Sequence, residues 1–231
     1  MSYKQGKRSL LKRFADSQWA WDHVLGPAYN RRILKAASRH YLLFIGELDL
    51  PNTAEVLDVG SGPGHLSLML AQDYPDAKVV GVDYSEGQVR AASHRRNRTG
   101  ADNCRFIYGD AMDLPFEDSM FDRVVSLGSI KYWPDMKRGL KEIHRVLVTG
   151  GRAFIAEADR DSPRREVLDF NRGFTTFPVI RNLINWFTVE VIFGESVTAE
   201  EAEAATDSIG FQQVSVEKLE GFPFFLMKLH K

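Results

Sequence analysis

The chain has 231 residues, 30 Lys and Arg against 31 Asp and Glu, a formal net charge of −1, 44% hydrophobic and 26% charged residues. That length holds one large domain with a substantial core, and the near-neutral balance leaves no overall field to draw the protein to nucleic acid or anionic lipid. One cysteine, Cys104, excludes an internal disulfide and a cysteine-rich metal site and fits a reducing cytoplasm; neither a signal peptide nor an apolar run of membrane-spanning length is visible.

Residues 1–50 precede the first strand. Residues 1–13 are basic. Residues 14–22 are aromatic, with Trp19 and Trp21, and the segment breaks at Gly26-Pro27. Ile33, Leu34, Ala37, Tyr41, Phe44 and Ile45 then recur at helical spacing. The two tryptophans read either as core residues pinning the first helix or as part of a lid.

Residues 54–83 form a strand–loop–helix–strand unit around which the rest is arranged. Residues 55–59 are a short, mostly apolar run, suited to a buried parallel strand. Gly60-Ser61-Gly62-Pro63-Gly64 follows, and three glycines let the backbone turn tightly and a ligand approach it. Leu66, Leu68, Met69, Leu70 and Ala71 make a helix-length segment. Residues 78–82 are the second strand, ending at Asp83, 19 residues past Gly64 (83 − 64). A carboxylate at that strand end can accept hydrogen bonds from ribose hydroxyls. The spacing G-x-G-x-G departs from the dinucleotide pattern G-x-G-x-x-G, and Asp58 would repel a pyrophosphate. An acid there favours a cationic ligand, such as an ammonium or a sulfonium. A nicotinamide dehydrogenase is therefore disfavoured.

Ser85 is an N-cap for a helix over residues 86–98, with Glu86 in its first turn. Arg90, His94, Arg95, Arg96 and Arg98 read as a solvated face rather than a nucleic-acid patch. Residues 104–108 are the third strand, and Asp110 at its end can accept from an adenine amine, with Ala111 and Met112 beside the ring. A plain turn acid is the bland alternative. Residues 120–127 are the fourth strand, with Asp122 at its start, far from the site. Residues 126–133 follow its carboxyl end, where a ligand would sit. Lys131 there either neutralises an acidic substrate or points to water. Trp133-Pro134-Asp135 opens a helix with Leu140, Ile143, His144 and Leu147 on one face, ending at residues 149–151.

Residues 152–157 are the fifth strand. Glu157, Asp159 and Arg160 at its tip read either as a base or amine-binding group or as an ion-pair cluster. Residues 161–196 are too long for a simple connection. Their Phe170, Phe174, Phe177, Trp186, Phe187 and Phe193 read as a second aromatic lid, or as an ordinary packed insertion or dimer contact. Residues 198–201 resemble a capping box, opening a helix to about Ser208. Residues 211–218 and 222–229 are a final strand pair.

The runs D-V-G-S-G-P-G and G-V-D-Y-S resemble the first two motifs of class I S-adenosylmethionine-dependent methyltransferases. Asp110 in G-D-A-M-D-L-P-F resembles the third, and F-D-R-V-V-S and E-I-H-R-V-L-V-T-G-G-R-A-F-I-A-E resemble the fourth and fifth strands. The resemblance spans about residues 54–158. The aromatic preface is similar to the lids of quinone-biosynthesis C-methyltransferases. The family implies an α/β, Rossmann-like, mostly parallel seven-stranded sheet with the last strand antiparallel. It implies one domain over residues 1–231: an N-terminal lid (1–50), a cofactor core (54–158), a substrate lid (161–196), and a C-terminal helix with a strand pair (198–231).

It further implies S-adenosyl-L-methionine as cofactor, held by Asp58, Gly60, Ser61, Gly62, Gly64, Asp83, Tyr84, Gln88, Asp110, Ala111, Met112 and Ser126. Trp19, Trp21, Tyr29, Lys131, Trp133, Phe174 and Phe177 are the candidate substrate contacts. Candidate bases are Tyr132, Glu157 and His23, with Tyr29 and Asp159 behind them. The expected reaction is in-line methyl transfer to a small apolar or aromatic acceptor. The alternative is use of the aminobutyrate arm, by transfer or cyclisation, with release of methylthioadenosine. No metal, no nucleic acid and no membrane span are expected of a cytoplasmic monomer or homodimer.

Overall fold

The computed structural model describes residues 44–171 and 188–231, with Asn182, Asn185 and Trp186. In chain order the elements are β1 (Glu55–Val59), α1 (His65–Asp73), β2 (Lys78–Asp83), α2 (Glu86–Thr99), β3 (Cys104–Tyr108), β4 (Phe121–Leu127), a 3-10 turn (Ile130–Tyr132), α3 (Met136–Val146), β5 (Leu147–Ala158), α4 (Arg164–Asn171), a π-helical turn (Thr188–Phe193), α5 (Ala199–Ala204), β6 (Gln213–Lys218) and β7 (Phe224–His230).

The strands form one sheet in the order β3-β2-β1-β4-β5-β7-β6. β1 to β5 are parallel, and β7 enters antiparallel between β5 and β6. This is the doubly wound architecture that the sequence motifs imply. Alternate residues of each strand feed two layers. Leu57, Val59, Val124 and Ile155 pack with Leu140, Ile143 and Val146 of α3. Val56, Val79, Val125 and Phe154 pack with Leu66 and Leu70 of α1 and with Phe44 and Leu48. Burial on both faces explains why the central strands read as mostly apolar runs.

The helix ends follow their capping residues. Ser85 Oγ accepts the Gln88 N–H at 3.1 Å, and Gly100 closes α2 in the left-handed region. Asp135 caps α3 by accepting from Arg138 N at 3.0 Å. Thr198 and Glu201 form a reciprocal capping box at α5. Two boundaries differ from the sequence reading. Residues 149–151 do not end a helix. α3 stops at Val146, and β5 starts at Leu147, paired with Phe121, before the register shifts to Arg123 opposite Arg152. The last helix stops at Ala204 rather than near Ser208. The Thr206 hydroxyl donates back to Glu203 O at 2.6 Å, and Ser208 has a positive φ of 64°, which an α-helix does not accommodate.

Asp122, at the amino end of β4, accepts the Glu55 N–H at 2.9 Å, away from the carboxyl edge. The opposite edge is left to the loops, where a doubly wound sheet binds ligands at the point of strand-order reversal. Here that point lies between β1 and β4.

Leu140 is fully buried under the sheet. Leu140→Ala is expected to lower the unfolding free energy by about 3 kcal/mol. Urea titration checks it, and a loss below about 1 kcal/mol would contradict the packing of α3.

Candidate functional site

The site grows from the turn after β1. Gly60 and Ser61 both donate to Val82 O, at 2.8 and 3.0 Å, which folds the turn over the tip of β2. Gly60, Gly62 and Gly64 all have positive φ, at 73°, 52° and 80°. Their surroundings separate their roles. A Cβ on Gly60 would run into the Ser129 side chain, and one on Gly64 into Phe106 and Ala92. Those two glycines are set by internal packing. A Cβ on Gly62 would meet nothing within 4 Å, so its backbone borders open space. Ser61 is buried and its hydroxyl finds no hydrogen-bond partner among the described residues.

Three carboxylates stand at successive strand tips. Asp83 accepts the Gly62 N–H at 2.8 Å and the Ser85 N–H at 2.9 Å, locking the glycine turn to the start of α2. Asp110 accepts from Met112 N at 2.9 Å, which bends residues 110–113 back on themselves. Asp58 is buried and takes a 2.5 Å hydrogen bond from Ser67 of α1. Burial pushes its carboxyl up to about 7, and the Asp83 charge pushes the same way, while Ser67 opposes both.

Around these, Gln88 is buried. Tyr84 is exposed and lies against Tyr108 with ring centroids 5.6 Å apart. The sulfur of Met112 accepts from Asp135 N at 3.4 Å, and Ala111 is half-buried against the α3 layer. Ser126 is turned inward, its Oγ 3.2 Å from Ser129 Oγ. His65, at the start of α1, was not singled out from the sequence. Its Nε2 is buried without a partner among the described residues, and burial, then Arg95, lower its pKa to about 3, so the ring is neutral.

On the other side of β1, the 3-10 turn is fastened to both neighbours. Ser129 Oγ donates to Val59 O at 3.3 Å and receives Trp133 Nε1 at 3.0 Å. Trp133 is buried with the α3 core, so it braces the turn. Lys131 neither points to water nor stands alone. Its Nζ lies 3.3 Å from Glu157 Oε1 and 5.2 Å from the Tyr132 ring centroid, with the lysine side chain 8% exposed and the glutamate fully buried. Glu157 also accepts the Lys131 and Ala158 backbone N–H groups. Asp159 and Arg160 resolve as ion pairs, to Lys218 at 3.1 Å and to Glu201 at 2.7 Å.

Three basic side chains of α2 are occupied locally. Arg90 pairs with Glu86, Arg96 with Asp102, and Arg95 donates to Pro63 O. Trp19, Trp21, His23, Tyr29, Phe174 and Phe177 lie outside the described residues. Among the described residues no group of three or more His, Cys, Asp and Glu is placed to hold a metal ion, and no helix is long and apolar enough to cross a membrane.

Residues 56–151 match the family model of a methyltransferase domain. The chloroplastic 2-methyl-6-phytyl-1,4-hydroquinone methyltransferase of Arabidopsis thaliana is 33% identical over 171 residues, 72% of this chain and 47% of that protein. The demethylmenaquinone methyltransferase of Symbiobacterium thermophilum is 36% identical over 152 residues, 64% of this chain and 58% of its own length. The chain thus spans about half the length of the curated relatives it matches. A solved S-adenosylmethionine-dependent methyltransferase from Aquifex aeolicus shares the fold, with a TM-score of 0.65 at 18% identity over 82% of this chain and 88% of that one.

Asp58 makes a pH prediction. Its folded carboxyl, near 7, lies above its ordinary value of 3.8, so the folded state holds the extra proton between those values. Stability from this group is full below the lower value and falls as pH rises toward the upper one. Urea unfolding of wild type and Asp58→Asn should therefore diverge in that window, with the wild type losing ground as pH rises. Parallel pH profiles would refute the assignment.

Proposed function

We propose that this chain belongs to the class I S-adenosylmethionine-dependent methyltransferase family, as its methyltransferase-domain match and its relatives support, and that it methylates a small apolar or aromatic acceptor, with a hydroquinone ring as the best-supported class. The observation that carries the proposal is the open face of Gly62 between the Asp58 and Asp83 carboxylates at the reversal of strand order. The quinol-type acceptors named for the relatives support the substrate class. Those relatives are methyltransferases by name, and nothing favours the alternative use of the aminobutyrate arm.

The residues fit an adenosyl ligand with a cationic tail. Asp83 sits where ribose hydroxyls would be held, already oriented by two backbone N–H groups. Asp110, with Ala111 and Met112, would take the adenine edge, and Tyr84 would cover its face. Ser61 offers an unused buried hydroxyl beside the turn. Asp58 would meet the amino-acid end, where a cation would favour its ionised form. When bound, S-adenosylmethionine supplies a methyl group on a sulfonium, already a strong electrophile. The protein's own share is then positioning: holding the acceptor in line is worth several kcal/mol by itself. A metal or a covalent nucleophile is not required by that chemistry. A soluble, nucleic-acid-independent catalyst acting as a monomer or homodimer completes the reading.

Formation of S-adenosylhomocysteine from S-adenosylmethionine and a panel of reduced hydroquinones tests the activity. Silence across the panel, with cofactor bound, would overturn the acceptor class. Asp83→Ala should weaken cofactor binding by about 2 kcal/mol through lost charge-assisted hydrogen bonds, roughly thirtyfold in Kd. Calorimetry with a melting control checks it, and unchanged affinity in a folded variant would remove Asp83 from the ribose site. Because Asp58 is part-protonated near neutrality, cofactor binding should release a proton. Calorimetry in buffers of different ionisation enthalpy reads that release, and Asp58→Asn should abolish it.

A further inference from the structure

We propose that the buried Lys131–Glu157 pair selects the atom that is methylated, by holding the oxygen of an ionised phenolic acceptor so that the ring carbon attacks. The inference rests on the methyltransferase reading above and deepens it.

The sheet order places the pair. Asp83 and Asp110 end β2 and β3, on one side of β1. Lys131 and Glu157 stand at the ends of β4 and β5, on the other side. A ligand with its adenosine over β2 and β3 and its cationic tail at the β1 turn presents its reactive centre toward β4. The turn bearing Lys131 is fixed against that place, because Ser129 touches both Val59 O and the glycine turn. The ammonium therefore flanks the acceptor side rather than the cofactor side.

The environment gives the pair more than a packing role. Glu157 is fully buried, and the Lys131 side chain is 8% exposed. A buried ion pair is weak evidence for stability, since well-packed apolar residues in its place are often neutral or better. In a water-poor site its charge acts strongly on a bound anion. Glu157 fixes the lysine from two directions, through Nζ at 3.3 Å and through the backbone N–H of the same residue at 3.3 Å. The ammonium is thus pre-positioned and does not wander with its flexible stem.

A phenolate is an ambident nucleophile, with electron density on oxygen and on the ring carbons beside and opposite it. An ammonium on the oxygen lowers the oxygen's nucleophilicity and leaves the carbon to react. The balance is simple. The acceptor's O–H proton leaves to solvent. A ring carbon forms a bond to the methyl carbon as the methyl–sulfur bond breaks, and sulfur keeps that electron pair. The ring C–H proton then leaves to solvent and restores the aromatic ring. Nothing is oxidised or reduced.

The test uses the whole protein with S-adenosylmethionine and menadiol, a naphthohydroquinone with one open carbon on its hydroxylated ring, kept reduced under nitrogen. The wild type should give mainly the ring-methylated product. Lys131→Met should shift the product ratio at least tenfold toward the O-methyl ether, with cofactor Kd unchanged, and Lys131→Arg should restore carbon methylation. Since Lys131→Met strands a buried carboxylate, Lys131→Met/Glu157→Gln serves as the variant without that charge and should show the same shift. An unchanged carbon-to-oxygen ratio in a folded, active variant would overturn the proposal while leaving the methyltransferase reading intact. A wild type that binds cofactor yet methylates menadiol at neither atom would overturn the hydroquinone reading, and this inference with it.

Discussion

A carboxylate buried at a strand tip is costly, a second one at the neighbouring tip adds to that cost, and the site is organised around it. Asp58 and Asp83 flank the same glycine turn. Asp83 accepts two converging backbone N–H groups. Asp58 is buried deeper, bonded to one hydroxyl, and tends toward its neutral form. A positive group entering beside it relieves both the burial penalty and the repulsion. Under the proposed reading, a cation-bearing ligand would offset that cost, which is a stronger reason for selectivity than the shape of the turn alone.

The glycine turn shows how one short sequence serves two masters. Gly60 and Gly64 are small because Ser129 and Phe106 press on them, and Gly62 borders open space. Packing and ligand access are therefore divided residue by residue along five positions. The same economy appears at Ser129, which spaces Gly60, accepts from Trp133 and ties the β4 turn to β1. A change at this serine would be felt on both sides of the crevice.

Much of the fold was legible because its signals are local. Apolar runs marked buried parallel strands. Ser85, Asp135 and Thr198 announced helix starts through their own side chains. The glycine spacing and the acids at three strand ends marked the crevice. What stayed hidden depends on distant partners. Ser67 lies nine residues past Asp58, and only the helix geometry brings its hydroxyl there. Lys131 and Glu157 are 26 residues apart, and no spacing rule links them. Trp133 looked like a substrate contact because aromatics gather at such tips, yet its burial in the α3 layer makes it a brace. The β5 boundary was missed for a similar reason: Gly150 and Gly151 resemble a helix end until the pairing with β4 is seen.

The antiparallel insertion of β7 has a consequence for how the molecule is made. β5 ends at Ala158, and its outer partner begins at Phe224, 66 residues later (224 − 158). On the ribosome, the rim of β5 therefore stays bare, with its amide row unpaired, until those further residues have emerged. Such a rim invites pairing with another nascent chain. Glu157 lies on that rim, in register with Phe225, so the wall that carries it closes only once β7 is made, and a chain cut short before β7 would lose this wall.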